Sequence, residues 1–226
     1  EDGIRDVERS RGLGDVYKRQ IAKGAEADLV LMEWNGLTAL AKNRKPKRYR
    51  HPELDRHMRR TKTKIEADII HRAKLSGVPT PLLYQVDPDE AVIVMEYVDG
   101  VKVRDAVDGL TGEERRTLFR RIGGYAGRLH GAGIIHGDLT TSNILKQGDR
   151  LVFIDFGLAE VSAEVEKRGV DLNLMDRMLT STHYKHHDEL LAAFLEGYRK
   201  ALGAEAEESV TRMKEVARRG RYIEKN

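Results

Sequence analysis

"IIHGDLTTSNILKQGDRLVFIDFGLAE", residues 134–160, sets two short polar clusters inside apolar, strand-like runs. The first is His136-Gly137-Asp138, with Asn143 five residues after the aspartate; the second is Asp155-Phe156-Gly157. Carboxylates at the mouths of buried strands cost free energy unless a cation or a strong hydrogen-bond partner meets them. One loop carrying Asp138 and Asn143 can aim a carboxylate and an amide at a single point. The stretch between them and Asp155 reads as a hairpin, with a strand at 143–146, a turn at Gly148-Asp149 and a strand at 151–154. Closing that hairpin returns Asp155 to the side of Asn143. Two oxygen donors then face one hard divalent cation, which takes a few carboxylate or amide oxygens and fills the rest of its shell elsewhere. The competing reading is a pair of Asx-turns that merely cap strands.

The order and spacing of Asp138, Asn143 and Asp155-Phe156-Gly157 resemble the catalytic loop and magnesium loop of protein kinases. That resemblance implies ATP and Mg2+ as cofactors. Asp138 is then the catalytic residue that positions an acceptor hydroxyl or water, and Asn143 and Asp155 are the metal ligands. A kinase also needs a strand lysine that neutralises phosphate charge and a helix glutamate that holds it. Lys42 closes the third predicted strand, "LTALAK", and Glu66 lies in the helix that follows; both are placed in the ATP site, and Lys42 counts with Asp138 as a catalytic residue. Met95 to Val98 are expected to line the adenine slot, with backbone groups of Glu96 and Val98 against the ring. The Gly-rich phosphate loop is reduced to Lys23-Gly24-Ala25-Glu26-Ala27, so Gly24, Ala25 and Glu26 are the candidate phosphate-loop residues.

Composition sets wide bounds. The chain has 226 residues, enough for one domain or two closely joined lobes with a real core. Forty Lys and Arg against 37 Asp and Glu leave a net charge of +3, compatible with nucleic-acid contact and no argument for it. With no cysteine, disulfides and thiolate zinc sites are excluded. No apolar run approaches the roughly 18 residues of a membrane helix and no signal peptide is visible, so no membrane and a cytoplasmic setting are expected. "DVYKRQ", residues 15–20, is what the DNA stretch GATGTGTATAAGAGACAG encodes. Residues 1–20 are therefore set aside as a translated sequencing-adapter artefact.

From residue 21 the pattern is strand, turn, strand, turn at Asn35-Gly36, strand. A basic, proline-broken loop follows, then a helix from about Pro52 to Leu75, with Leu54, Met58, Ile65, Ile69 and Leu75 as its partial apolar stripe. Strands follow at "LLYQV" and "AVIVMEYV". Thr111 and Glu114 form a capping box that opens the clearest helix of the chain, which carries Leu118, Ile122, Tyr125 and Leu129 at helical period and ends at Gly131. Residues 170–220 read as two or three helices. The fold class expected is α+β: a reduced, two-lobed protein-kinase-like fold with a sheet lobe over 21–98 and a short helical lobe over 99–226.

Six segments narrow the resemblance: "KGAEA" (23–27), "KRYRHPELD" (47–55), "HGDLTTSN" (136–143), "IDFGL" (154–158), "GVDL" (169–172) and "STH" (181–183). Together they resemble the small atypical protein kinase subunit of the KEOPS complex, related to RIO-like kinases, over residues 21 to 226. The resemblance implies serine/threonine kinase or ATPase activity and a role in forming tRNA N6-threonylcarbamoyladenosine. It implies as partners the complex's threonylcarbamoyl transferase subunit and a small regulatory subunit. The basic loop 42–50 and the tail "ARRGRY" (217–222) are candidate contacts for tRNA or the transferase.

Departures from ordinary protein kinases carry information. Gly137 stands where an arginine usually reads an activation-segment phosphate. No Ala-Pro-Glu motif and no proline follow Asp155, and the remaining chain is short for a peptide-docking lobe. Thr140 replaces the usual catalytic-loop lysine. "HGD" also occurs in aminoglycoside-type phosphotransferases, the main enzymatic rival, but nothing here could serve as their inserted acceptor lobe. A non-catalytic scaffold is the other alternative, opposed by the presence of Lys42, Asp138 and Asp155. His136 is read as structural, and His183, His186 and His187 as a solvated face.

Overall fold

The computed structural model of the chain describes residues 19–23 and 27–223, with side chains over 27–219. Strands β1 (Arg19–Lys23), β2 (Ala27–Trp34) and β3 (Leu37–Arg44) form an antiparallel meander, with β2 and β3 joined at Asn35-Gly36. Both turn residues have positive φ, +49° and +81°, which matches the right-handed twist of the strands they join. Helix α1 (Pro52–Leu75) follows, then β4 (Leu83–Asp87) and β5 (Val92–Glu96). The sheet order is β1-β2-β3-β5-β4, so β3 is central and Lys42 sits opposite Ile93 of β5. Two of the residues set aside in the sequence, Arg19 and Gln20, lie within β1 and pair with Leu31 and Val30.

The stripe expected for α1 is corrected. Leu54, Ile65 and Leu75 are exposed, Met58 is half-buried, and of the five only Ile69 is buried. The covered face is Asp55, Thr63, Glu66, Ala67, Ile69, Ile70 and Ala73. Apolar periodicity failed because this face buries carboxylates matched to cations. Asp55, for example, accepts from Arg59 Nε at 2.7 Å and from Lys47 N at 3.1 Å.

The sheet ends at Glu96. Strand β6 (Val101–Lys102) joins a second sheet with β8 (Ile144–Gln147) and β9 (Arg150–Phe153), and helix α2 (Val103–Ala106) follows β6 directly. Helix α3 (Gly112–Gly131) opens on the expected capping box, Thr111 and Glu114 each bonding the other's backbone. Strands β7 (Ile134–Ile135) and β10 (Glu160–Val161) pair across the two polar loops. Two-residue strands have no period to read, and the sequence did not signal β6, β7 or β10.

Three helices complete the chain: α4 (Val165–Thr182), α5 (His187–Leu202) and α6 (Ala206–Ile223). Helices α3 and α5 approach backbone to backbone at Gly123 and Gly197. A Cβ on Gly123 would stand 1.8 Å from Phe194 O, and one on Gly197 at 1.8 Å from Arg120 O. The main core lies here, built on Phe119, Ile122, Phe153, Phe156, Phe194 and Tyr198. Two expectations change. The basic stretch 217–222 is the end of α6 rather than an extended tail, and Arg219 already binds Glu166 at 2.6 Å. His183 is not on a solvated face; it is buried, with Nδ1 at 3.7 Å from Asp108. His187 lies between Asp176 and Asp188, at 2.7 and 2.8 Å.

Candidate active site

A cleft of about 740 Å³ opens between the five-stranded sheet and the two polar loops. Lys42 reaches it from central β3 and Glu66 from the inner face of α1. Lys42 Nζ donates to Glu66 Oε1 at 2.6 Å and to Asp155 Oδ1 at 2.8 Å. Burial alone would lower the lysine's pKa, but the Glu66 and Asp155 carboxylates overcome it and the net direction is up. At Asp155, desolvation against the cleft wall opposes ionisation and the Lys42 ammonium outweighs it, so the carboxyl sits below its ordinary range. The trio pairs one cation with two carboxylates.

The hairpin closes as the sequence argument requires. Ile144 pairs with Phe153, and Ile154 N donates to Asn143 O at 2.9 Å, which sets Asn143 beside the residue preceding Asp155. Asn143 Nδ2 is committed to Asp138, at 2.7 Å from Oδ2 and 3.0 Å from the backbone carbonyl. The amide oxygen is thereby left as the atom able to meet a cation. Asp155 has φ +61°, a left-handed conformation that costs a non-glycine residue energy and concentrates at functional sites. Among the described residues no group of three or more His, Asp or Glu side chains could cage a metal. A cation held by Asn143 and Asp155 would need phosphate and water oxygens, which suits magnesium.

Gly137 has a structural reason that the sequence did not show. Its φ is +77°, and a Cβ there would lie 2.4 Å from Leu158 O. An arginine cannot stand at this position in this backbone. His136 is buried against Phe156, ring centroids 4.7 Å apart, and its Nδ1 accepts from Asp138 N at 3.4 Å. Burial lowers its pKa against the pull of nearby carboxylates, so the ring is neutral.

Sequence reasoning missed Asp171. This fully buried carboxylate on α4 accepts His136 N at 2.7 Å and Gly137 N at 2.9 Å, and His130 Nε2 stands at 3.3 Å. His130 Nδ1 meets the Tyr198 hydroxyl at 2.8 Å, and burial pushes that hydroxyl's pKa up to about 12. The backbone of the loop that carries Asp138 is thus pinned from the helical core. The signal was present in "GVDL", but one aspartate inside a helix carries no local mark of what it binds.

Met95, Glu96 and Val98 line the cleft. The Glu96 side chain is turned to Arg150, which donates at 2.5 and 3.1 Å, and to Leu82 N at 3.0 Å. Those donors hold its carboxyl below the ordinary range, the Arg150 bond foremost. Gly24, Ala25 and Glu26 lie outside the described residues. Arg44, which the sequence reading did not single out, also lines the cleft and bonds Glu66.

The arrangement offers a lysine for phosphate charge, two oxygen donors for a cation and a half-buried carboxylate for a hydroxyl. Comparison with known proteins shows the family and the fold. The RIO domain model matches residues 38–169. The chain is 40% identical over 213 residues to "KEOPS complex subunit Bud32" of Pyrococcus abyssi, covering 91% of this chain and 97% of that one. It is 47% identical over 204 residues to a "probable bifunctional tRNA threonylcarbamoyladenosine biosynthesis protein" of Methanothermobacter thermautotrophicus, where it covers 90% of this chain but only 36% of the longer relative. Its fold is that of the Rio2 kinase from Chaetomium thermophilum, solved as an ADP/Mg2+-phosphoaspartate complex, with a TM-score of 0.63 at 17% identity over 89% of this chain and 71% of the other. The chain belongs to the RIO domain family of atypical kinases and, within it, to the family of the KEOPS complex subunit Bud32.

Proposed function

We propose that the chain is an ATP- and magnesium-dependent phosphotransferase and ATPase that serves a KEOPS-type complex in forming tRNA threonylcarbamoyladenosine. The observation that carries this reading is Lys42, held between Glu66 and Asp155 at 2.6 and 2.8 Å. Phosphoryl transfer asks mainly for positioning and charge neutralisation. Lys42 would draw the α- and β-phosphates, and Glu66 would keep it aimed. Asn143 and Asp155 would hold magnesium, which neutralises charge on the β- and γ-phosphates when bound. Asp138 would orient the attacking hydroxyl or water. Glu96 N is occupied by Leu82 O and Val98 O by Gly100 N. Adenine contacts would therefore fall to the Glu96 carbonyl and the Val98 N–H.

The threonylcarbamoyl transferase subunit and a small regulatory subunit are the proposed partners. The glycine at 137 favours control by a bound protein over activation-segment phosphorylation. Residues 42–44 of the basic stretch are the end of β3, with Lys42 and Arg44 taken up by Glu66, so the proposed contacts for tRNA phosphates or the transferase are residues 45–50, where Tyr49 is exposed beside Arg50, and the basic end of α6 (217–222). Purified chain should hydrolyse ATP only with magnesium and should co-purify with the transferase subunit. A chain that binds the transferase but neither binds nor turns over MgATP would be a scaffold, and the enzymatic reading would fall.

A further inference from the structure

Glu66 carries more than Lys42. Its Oε1 takes Lys42 Nζ at 2.6 Å, and its Oε2 takes the Arg44 guanidinium through Nη2. Lys42 and Arg44 are two positions apart on β3, so both project to the cleft face of the sheet. The Arg44 side chain is 4% exposed and that of Glu66 2%. Both cations also reach the magnesium loop: a Cβ on Gly157 would stand 3.4 Å from Lys42 Nζ and 3.8 Å from Arg44 Nη2. With Asp155, the described side chains of the cluster bring two cations to two carboxylates.

A sealed carboxylate needs both its oxygens matched. Were Lys42 the sole cation on Glu66, an arriving polyphosphate and Glu66 would compete for one ammonium. An arginine stays charged throughout and presents a rigid fork to a carboxylate. Arg44 therefore keeps Glu66 compensated while the charge of Lys42 turns to phosphate. It also ties α1 to the central strand without any phosphorylated activation segment, which fits a chain with Gly137 in place of the phosphate-reading arginine. We propose that Arg44 is a positioning residue that fixes Glu66, and through it α1 and Lys42, in the arrangement that receives the nucleotide's phosphates. The proposal rests on the nucleotide-site reading above.

The test uses the whole chain with Arg44→Met, Arg44→Lys, Glu66→Gln and the double variant Arg44→Met with Glu66→Gln. The first arm needs no nucleotide. Amide hydrogen exchange over residues 62–70 of α1 should be about tenfold faster in Arg44→Met than in the parent and largely restored in Arg44→Lys. Unchanged exchange overturns the proposal. The second arm is steady-state ATP turnover. Arg44→Met should raise KM for MgATP about tenfold with kcat within about threefold, and should add little to Glu66→Gln, because it acts through that carboxylate. A fall confined to kcat, or full additivity with Glu66→Gln, overturns the positioning role and points to direct phosphate contact. If Arg44→Met does not fold, Arg44→Gln takes its place in both arms. Failure of the parent chain to bind MgATP counts against the proposed function, while the exchange arm still decides whether Arg44 holds α1.

Discussion

Glu66 and Asp171 are both carboxylates sealed from water, 2% and 0% exposed, and the chain satisfies them by opposite means. Glu66 meets side-chain cations, Lys42 and Arg44, at the edge of an open cleft. Asp171 meets backbone amides, His136 N and Gly137 N, deep under the catalytic loop, with His130 behind it. Side-chain cations can be redirected to a ligand; backbone amides cannot leave. On the proposed function, the first arrangement is one that a nucleotide would rewire, and the second is one that would hold the loop still meanwhile. Removing a group near Glu66 should therefore show in turnover and near Asp171 in stability.

The largest effect expected is on turnover. Asp155→Asn keeps a residue that tolerates φ +61° but removes the charge a cation needs. ATP turnover should fall on the order of a thousandfold, about 4 kcal/mol of transition-state stabilisation, with the melting temperature nearly unchanged. A drop of only a few-fold would remove Asp155 from the cation site. Next is Asp171→Ala, which orphans two buried N–H groups and should cost roughly 3–5 kcal/mol in urea unfolding. If that variant loses turnover and keeps its stability, the division between the two carboxylates is wrong. Glu66→Gln should come third: the amide keeps one acceptor and turns its NH2, a donor, toward the other cation, which should cost about 2–3 kcal/mol of stability and raise KM for MgATP about tenfold.

The smallest effect is the pH response, and it sharpens the contrast between buried and surface groups. Burial lowers the pKa of His136 and His183 despite nearby carboxylates. The unfolded chain then binds more protons below about pH 6.5, so the stability these rings allow is full above that value and falls as acid is added. His187 runs the other way. Burial opposes its charge, but the Asp176 and Asp188 carboxylates prevail and raise its pKa. Its contribution is full below about pH 6.5 and fades as pH rises through the folded value. Melting curves of the parent should drop between pH 6.5 and 5, and His187→Gln should cost more at pH 6 than at pH 9. A parent curve flat over the acid range would mean that the buried rings charge freely.

Much of this was legible in the sequence, and for local reasons. The hairpin that sets Asn143 beside Asp155 follows from strand, Gly-Asp turn and strand within a dozen or so residues. The Thr111–Glu114 box marks its own helix start. The boundaries of α1 came from Pro52 and Gly77. Its buried face did not, because the apolar stripe assumes that covered positions are greasy, whereas Glu66 and Asp55 are covered together with their cations. His183 looked like surface in a polar run and is buried, with a neighbour distant in the chain, Asp108, at 3.7 Å.

Residue types, order and spacing by themselves determined the longer elements and the two loops, and with the kinase resemblance they singled out Lys42, Glu66, Asp138, Asn143 and Asp155. Each of those signals is short-range, so the chain states it without folding. Only the tertiary structure decided which charges meet. It set Arg44 on the second oxygen of Glu66, put Asp171 under the loop and closed Gly137 to any side chain with Leu158 O. Those pairings join residues from separate elements, and their energies depend on burial, which a linear sequence does not display until the core has formed.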